Sequence, residues 1–167
     1  MDTLRFSGKD VIEMAVRIEE NGLTFYTEAG NASTSDKVKE LFQFLGDEEK
    51  RHIHCFENIG HGYESDTLPG ASDPYAEEAA LYLGALANSR VFTEPNEGSR
   101  LAQGIRDEDD ALKVAISMEK DSILFYYELQ KVMREKDKTV LTQLIEEEKK
   151  HLAKLTELQN ILSRKSE

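Results

Sequence analysis

Two short motifs carry the chemistry of this sequence, Glu49-Lys50-Arg51-His52 and Glu148-Lys149-Lys150-His151. On a helix, residues three apart lie on one side, so the Glu and the His of each motif can reach toward the same point. Each motif follows a lone glutamate by about 30 residues, Glu19 in the first case and Glu119 in the second. Four carboxylates and two imidazoles brought together match a pair of divalent cations: the carboxylates balance two such ions in charge, and the neutral imidazoles complete the coordination. Whether they meet depends on the helices that carry them.

The register of those helices points inward. Val38, Phe42, Leu45, Glu49, His52, Phe56 and Ile59 step by three or four residues, the pattern of a helical seam facing a core. Leu141, Leu144, Glu148, His151, Leu155, Leu158 and Leu162 repeat it, and both seams are interrupted only by the polar pair. Ile12, Ala15, Glu19, Gly22, Leu23 and Tyr26 share another face, as do Leu112, Ala115, Glu119, Ser122, Ile123 and Tyr126. A lone E-x-x-H in a Glu-rich helix is ordinarily a solvated charge run. Carboxylates on four apolar stripes instead cost several kcal/mol each unless something compensates them, and a metal pair does so.

The chain is internally duplicated. Ile18-Glu19-Glu20-Asn21-Gly22-Leu23-Thr24-Phe25-Tyr26 matches Met118-Glu119-Lys120-Asp121-Ser122-Ile123-Leu124-Phe125-Tyr126 at an offset of 100, and Glu48–His52 matches Glu147–His151 at an offset of 99. Each half therefore reads as a helical hairpin, and two hairpins pack as an all-α four-helix bundle. Ser7, Ser35 or Thr34, Asp107 and Asp137 are plausible caps for helices over about 8–31, 35–60, 108–135 and 138–162. The only prolines, Pro69, Pro74 and Pro95, fall in the long crossover of residues 61–107. Asp73-Pro74 predicts a short helix over about 74–88, with 61–72 and 89–106 as connectors. One domain over 1–167 is expected.

The remaining candidates read more plainly. Glu48, Lys50, Arg51, Glu147, Lys149 and Lys150 fall off the seams and are expected on the solvated face, as are Glu13, Glu28, His54 and His61. Cys55 is expected to be a small core residue, and Phe25 and Phe125 to pack in or beside the core. Tyr26 and Tyr126, two turns beyond Glu19 and Glu119, are core residues whose phenols can also hydrogen-bond a metal-ligating carboxylate.

With 33 Asp and Glu against 21 Lys and Arg, the net charge of −12 argues against a nucleic-acid partner. No uncharged apolar stretch is long enough to span a membrane, and the N-terminus has no signal-peptide pattern, so a cytoplasmic protein is expected. The single cysteine excludes an intrachain disulfide and a four-cysteine metal site within this sequence.

One Glu, an E-x-x-H, a second Glu and a second E-x-x-H, with Phe25-Tyr26 and Phe125-Tyr126 following the lone glutamates, resembles the rubrerythrin-like branch of the ferritin-like superfamily over about residues 9–60 and 108–162. The resemblance implies a ferritin-like bundle holding two iron ions, with Glu49 and Glu148 bridging them, Glu19 and His52 completing one and Glu119 and His151 the other. Manganese or an iron–manganese pair suits the same ligands. It also implies reduction of hydrogen peroxide or dioxygen, with oxidative-stress protection as the setting. Rubrerythrin carries a four-cysteine rubredoxin domain; here an external electron donor such as a rubredoxin-like protein is implied instead. Rubrerythrin also has a further glutamate, associated with peroxidase chemistry, where this sequence has Ser122, matched by Gly22 in the first half. Three alternatives stay open: an iron-binding, ferroxidase-type handling protein, a structural bundle whose site is empty or holds a non-redox metal, and an oxygenase acting on an organic substrate. A homodimer is the expected assembly.

Overall fold

The fold is seen in a computed structural model, which describes residues 7–63, 78, 81–83, 85 and 94–164. Ser7 starts the first helix, α1 (Gly8–Ala32), through a capping box: its hydroxyl accepts from Asp10 N, and the Asp10 carboxylate accepts from Ser7 N at 2.7 Å. Ser35 caps α2 (Asp36–Gly60) by accepting from Val38 N. A short helix, α3, spans Glu97–Gln103. Asp107 caps α4 (Glu108–Val132), accepting from Asp110 N at 2.8 Å, and α5 runs from Glu135 to Ser163. Helices α1 and α2 pack together as one hairpin and α4 and α5 as the other; α2 against α5 and α1 against α4 close the expected four-helix bundle. Among the described residues, no helix is long and apolar enough to cross a membrane.

The core lies in two parts. At one end Val11, Ile12, Phe56, Phe125, Leu129, Leu141 and Ile145 pack with their neighbours, and at the other Phe25, Val38, Phe42, Leu112, Ala115 and Leu155 do so. Each large side chain in these layers contributes about 1.5–3 kcal/mol by leaving water. The two parts draw on opposite ends of the helices within each hairpin, so the middle of all four helices forms a separate band between them.

Several boundaries differ from expectation, each for a non-local reason. Helix α4 stops at Val132 rather than near 135, and α5 begins at Glu135 after Arg134 rather than being capped by Asp137. Tyr63, on the segment leaving α2, reaches this turn. Its hydroxyl accepts from Arg134 N at 2.8 Å and donates to Asp137 Oδ2 at 3.0 Å, and the Arg134 guanidinium lies 4.5 Å from its ring centroid. Asp137 thus serves Tyr63 instead of capping the helix.

The expected connector 89–106 contains α3, which docks on α1. The Asn21 amide donates to Glu94 O at 3.0 Å and its carbonyl accepts from Gly98 N at 3.0 Å. Only glycine fits there, since a Cβ on residue 98 would lie 2.0 Å from Asn21 O. Glu28, expected on the surface, is half-buried beneath this helix and accepts from Ser99 Oγ at 2.8 Å. Of the crossover helix expected over 74–88, residues 78, 81–83 and 85 are helical and Leu83 is fully buried in the core; the rest lies outside the described residues, as does connector 64–72.

Candidate metal centre

The band between the two core layers holds Glu19 from α1, Glu49 and His52 from α2, Glu119 from α4, and Glu148 and His151 from α5, none more than 4% exposed. Every residue expected as a ligand is therefore brought to one place. They form two overlapping sets, Glu19, Glu49, His52 and Glu148, and Glu49, Glu119, Glu148 and His151. In each set one potential ligand atom per residue lies within 4.8 Å of the others. Glu49 and Glu148 belong to both. The imidazoles stack with centroids 5.6 Å apart and an interplanar angle of 18°.

Both histidines turn Nδ1 toward the carboxylates. His52 Nδ1 is 2.7 Å from Glu148 Oε1 and 3.4 Å from Glu19 Oε2, and His151 Nδ1 is 3.1 Å from Glu148 Oε2 and 3.8 Å from Glu119 Oε2. His52 Nδ1 and Glu148 Oε1 are fully buried, and despite their proximity neither makes a well-aligned hydrogen bond. Buried polar atoms left in this way are costly. A cation between them satisfies both, so the donor set fits a metal.

The electrostatics point the same way. Burial lifts the Glu49 carboxyl well above the usual range, and repulsion from Glu19 and Glu148 adds to it; Glu119 is lifted by burial and by Glu148. Burial acts to neutralise His52, but the Glu19 and Glu148 carboxylates beside it prevail and push its pKa up to about 12. His151 is raised to about 9 by Glu119 and Glu148 against the same opposing effect of burial. Glu148 is held down despite its burial by the Glu119 hydrogen bond and the two histidines. Before an ion binds, protons neutralise this excess of carboxylate, and divalent ions replace them.

Tyr26 and Tyr126 are fully buried, and their phenols bond the lone glutamates, but across the bundle. Tyr26 on α1 donates to Glu119 Oε1 on α4, and Tyr126 on α4 donates to Glu19 Oε1 on α1. Burial, with the nearby carboxylate charges, raises both phenols well above their usual range, so they remain donors. Each bond occupies Oε1 of a lone glutamate and leaves Oε2 facing a histidine.

Glu48 and Glu147 were expected on the solvated face. Their side chains are only 24% and 28% exposed, and they reach the outer histidine nitrogens: Glu147 Oε2 is 3.1 Å from His52 Nε2, and Glu48 Oε2 is 3.8 Å from His151 Nε2. The signal lies in the sequence as the acid preceding each E-x-x-H, but the contact runs between helices and is invisible in helical register. His54 and His61 are exposed, as expected, and Cys55 is half-buried against the core. Beside Glu49 and Glu119 is a cavity of about 10 Å³, bounded by Ile18, Gly22, Tyr26, Met118 and Ser122. That is room for about one water.

Residues 10–159 match the family model described as rubrerythrin. No match is found among curated proteins. The structure is similar to a 2.30 Å crystal structure from Thermotoga maritima described as a candidate ferritin-like diiron-carboxylate protein, with 24% sequence identity and a TM-score of 0.66, covering 93% of this chain and 96% of that one. At that identity the likeness establishes the fold, which is ferritin-like.

Proposed function

The chain belongs to the rubrerythrin family, and from that premise we propose that it is a di-iron redox protein that reduces hydrogen peroxide or dioxygen. The observation that supports this most directly is the overlap of two buried ligand sets in Glu49 and Glu148. In this reading Glu49 and Glu148 would be shared between the two ions, Glu19 and His52 would help hold one, and Glu119 and His151 the other. A bound iron pair supplies two electrons, so that hydrogen peroxide, two electrons and two protons yield two waters. The chain's own part is to hold the carboxylates in place. Tyr26 and Tyr126 keep their protons on the hydrogen bonds to Glu119 and Glu19, and the apolar layers exclude bulk water. The cavity of about 10 Å³ beside Glu49 and Glu119 is too small for an organic substrate. In this reading reducing equivalents reach the centre from a separate rubredoxin-like donor.

The test is anaerobic reconstitution with Fe²⁺ followed optically during peroxide addition. Two irons per chain and a rapid absorption change on oxidation are expected in the wild type, and neither in Glu49→Ala or His151→Ala, whose helicity should be retained. Undiminished peroxide reduction in either variant would refute the assignment. Uptake of more than two irons per chain, with ready release to a chelator, would move the reading to iron handling.

A further inference from the structure

The outer edge of the centre breaks the near-twofold symmetry of the hairpins. His52 is fully buried, with Nδ1 facing Glu148 and Glu19 and Nε2 facing Glu147 Oε2 at 3.1 Å. A carboxylate can only accept, so this bond keeps a proton on Nε2 and leaves Nδ1 as the inward atom that a metal would take. The equivalent contact to His151 is not made. Glu48 Oε2 stands 3.8 Å from His151 Nε2, beyond hydrogen-bond reach, and is instead bonded to the Arg51 guanidinium. Arg51 also spans to Glu147, with Nη1 and Nη2 each 3.4 Å from one of its oxygens. The residue matching Arg51 in the second hairpin is the exposed Lys150, whose ammonium cannot present the planar two-pronged donor of a guanidinium.

We propose that Glu147 is a positioning residue for His52, and that Arg51, by holding Glu48 off His151, makes the two metal positions unequal, the His52 position filling first. This rests on the dinuclear reading given above and deepens it. Fixing the tautomer and ring orientation of a ligating histidine through an outer carboxylate is typically worth about 10–100-fold in metal affinity. That is enough to separate two otherwise matched steps.

The experiment is calorimetric titration of the metal-free protein with Co²⁺, alongside apo-protein melting and helicity as folding controls. Wild type should take up two ions in two resolved steps. His52→Ala should remove the tighter step and His151→Ala the weaker. Glu147→Gln should weaken the tighter step by about 10–100-fold, with Glu147→Asp partly restoring it, whereas Glu48→Gln should change either step by less than about threefold. Arg51→Gln releases Glu48 toward His151 and should draw the steps together. Two ions bound in matched steps, or a tight step indifferent to Glu147→Gln, would overturn the proposal while leaving the dinuclear reading intact. No Co²⁺ uptake at all would overturn both.

Discussion

Tyr26 on the first helix donates its phenolic hydrogen to Glu119, 93 positions away on α4, and Tyr126 returns the same bond to Glu19. Each hairpin thus orients the lone carboxylate of the other. The bonds tie α1 to α4 in the middle of the bundle, where the two apolar layers are interrupted. They also decide which oxygen of each lone glutamate faces inward.

Replacing Tyr26 or Tyr126 with Phe removes that donor and leaves a buried carboxyl oxygen without its partner. Each variant should lose about 1–3 kcal/mol of stability. Urea unfolding of the metal-free protein measures this directly, and a loss no larger than that of an exposed-residue control would argue that the bonds contribute nothing.

Metal binding should release protons. His52 and His151 titrate at about 12 and about 9 before an ion binds, so near pH 7 an incoming ion displaces their protons, and apparent affinity should rise with pH. Calorimetry in two buffers of different ionisation enthalpy counts the protons. The same shifts set the stability of the metal-free protein. A histidine raised on folding stabilises fully below its unfolded pKa near 6.5 and loses that contribution as pH rises through its folded value. Glu49 and Glu119, also raised, act in the same direction above their unfolded values. Melting temperature of the metal-free protein should therefore fall between about pH 6.5 and pH 9, and the metal-loaded protein should resist that fall; a flat profile for the metal-free protein would contradict it.

Glu108 ties the hairpins at one end. Its Oε1 accepts from Ser33 Oγ, Thr34 N and Ser35 N at 2.8–2.9 Å. Partial burial alone would raise its pKa, but these donors outweigh that and lower it. A carboxyl lowered on folding stabilises above its unfolded pKa and loses the contribution as pH falls through the folded value. Glu108→Gln should be less stable than wild type at pH 7, with the gap closing below about pH 4.5. Thermal melts across pH 3–7 would show whether the two curves converge.

Gly98→Ala forces a Cβ to within 2.0 Å of Asn21 O, so α3 must move off α1. A loss of about 1–3 kcal/mol is expected from this overpacking. Co²⁺ binding should survive, because α3 contributes no ligand. Unchanged stability would mean that α3 is not held where Asn21 and Gly98 place it.

The six acid and histidine positions of the buried cluster and the two hairpins are legible in the sequence, because both are local information. A polar residue on a stripe of period three to four is committed to the interior wherever the helix goes, and duplication of Glu19, Glu49 and His52 as Glu119, Glu148 and His151 makes accident implausible. The caps Ser7, Ser35 and Asp107 are local for the same reason. What helical register cannot contain is the choice of partner across the bundle. Tyr26 lies near Glu19 along α1 yet bonds Glu119. Glu147 lies off its own seam yet meets His52 on another helix. Tyr63 ends α4 by taking the amide of Arg134, and Asn21 recruits a seven-residue helix that would not persist alone. Periodicity settles which way a side chain faces on its own helix; the antiparallel packing of the two hairpins settles what it finds there.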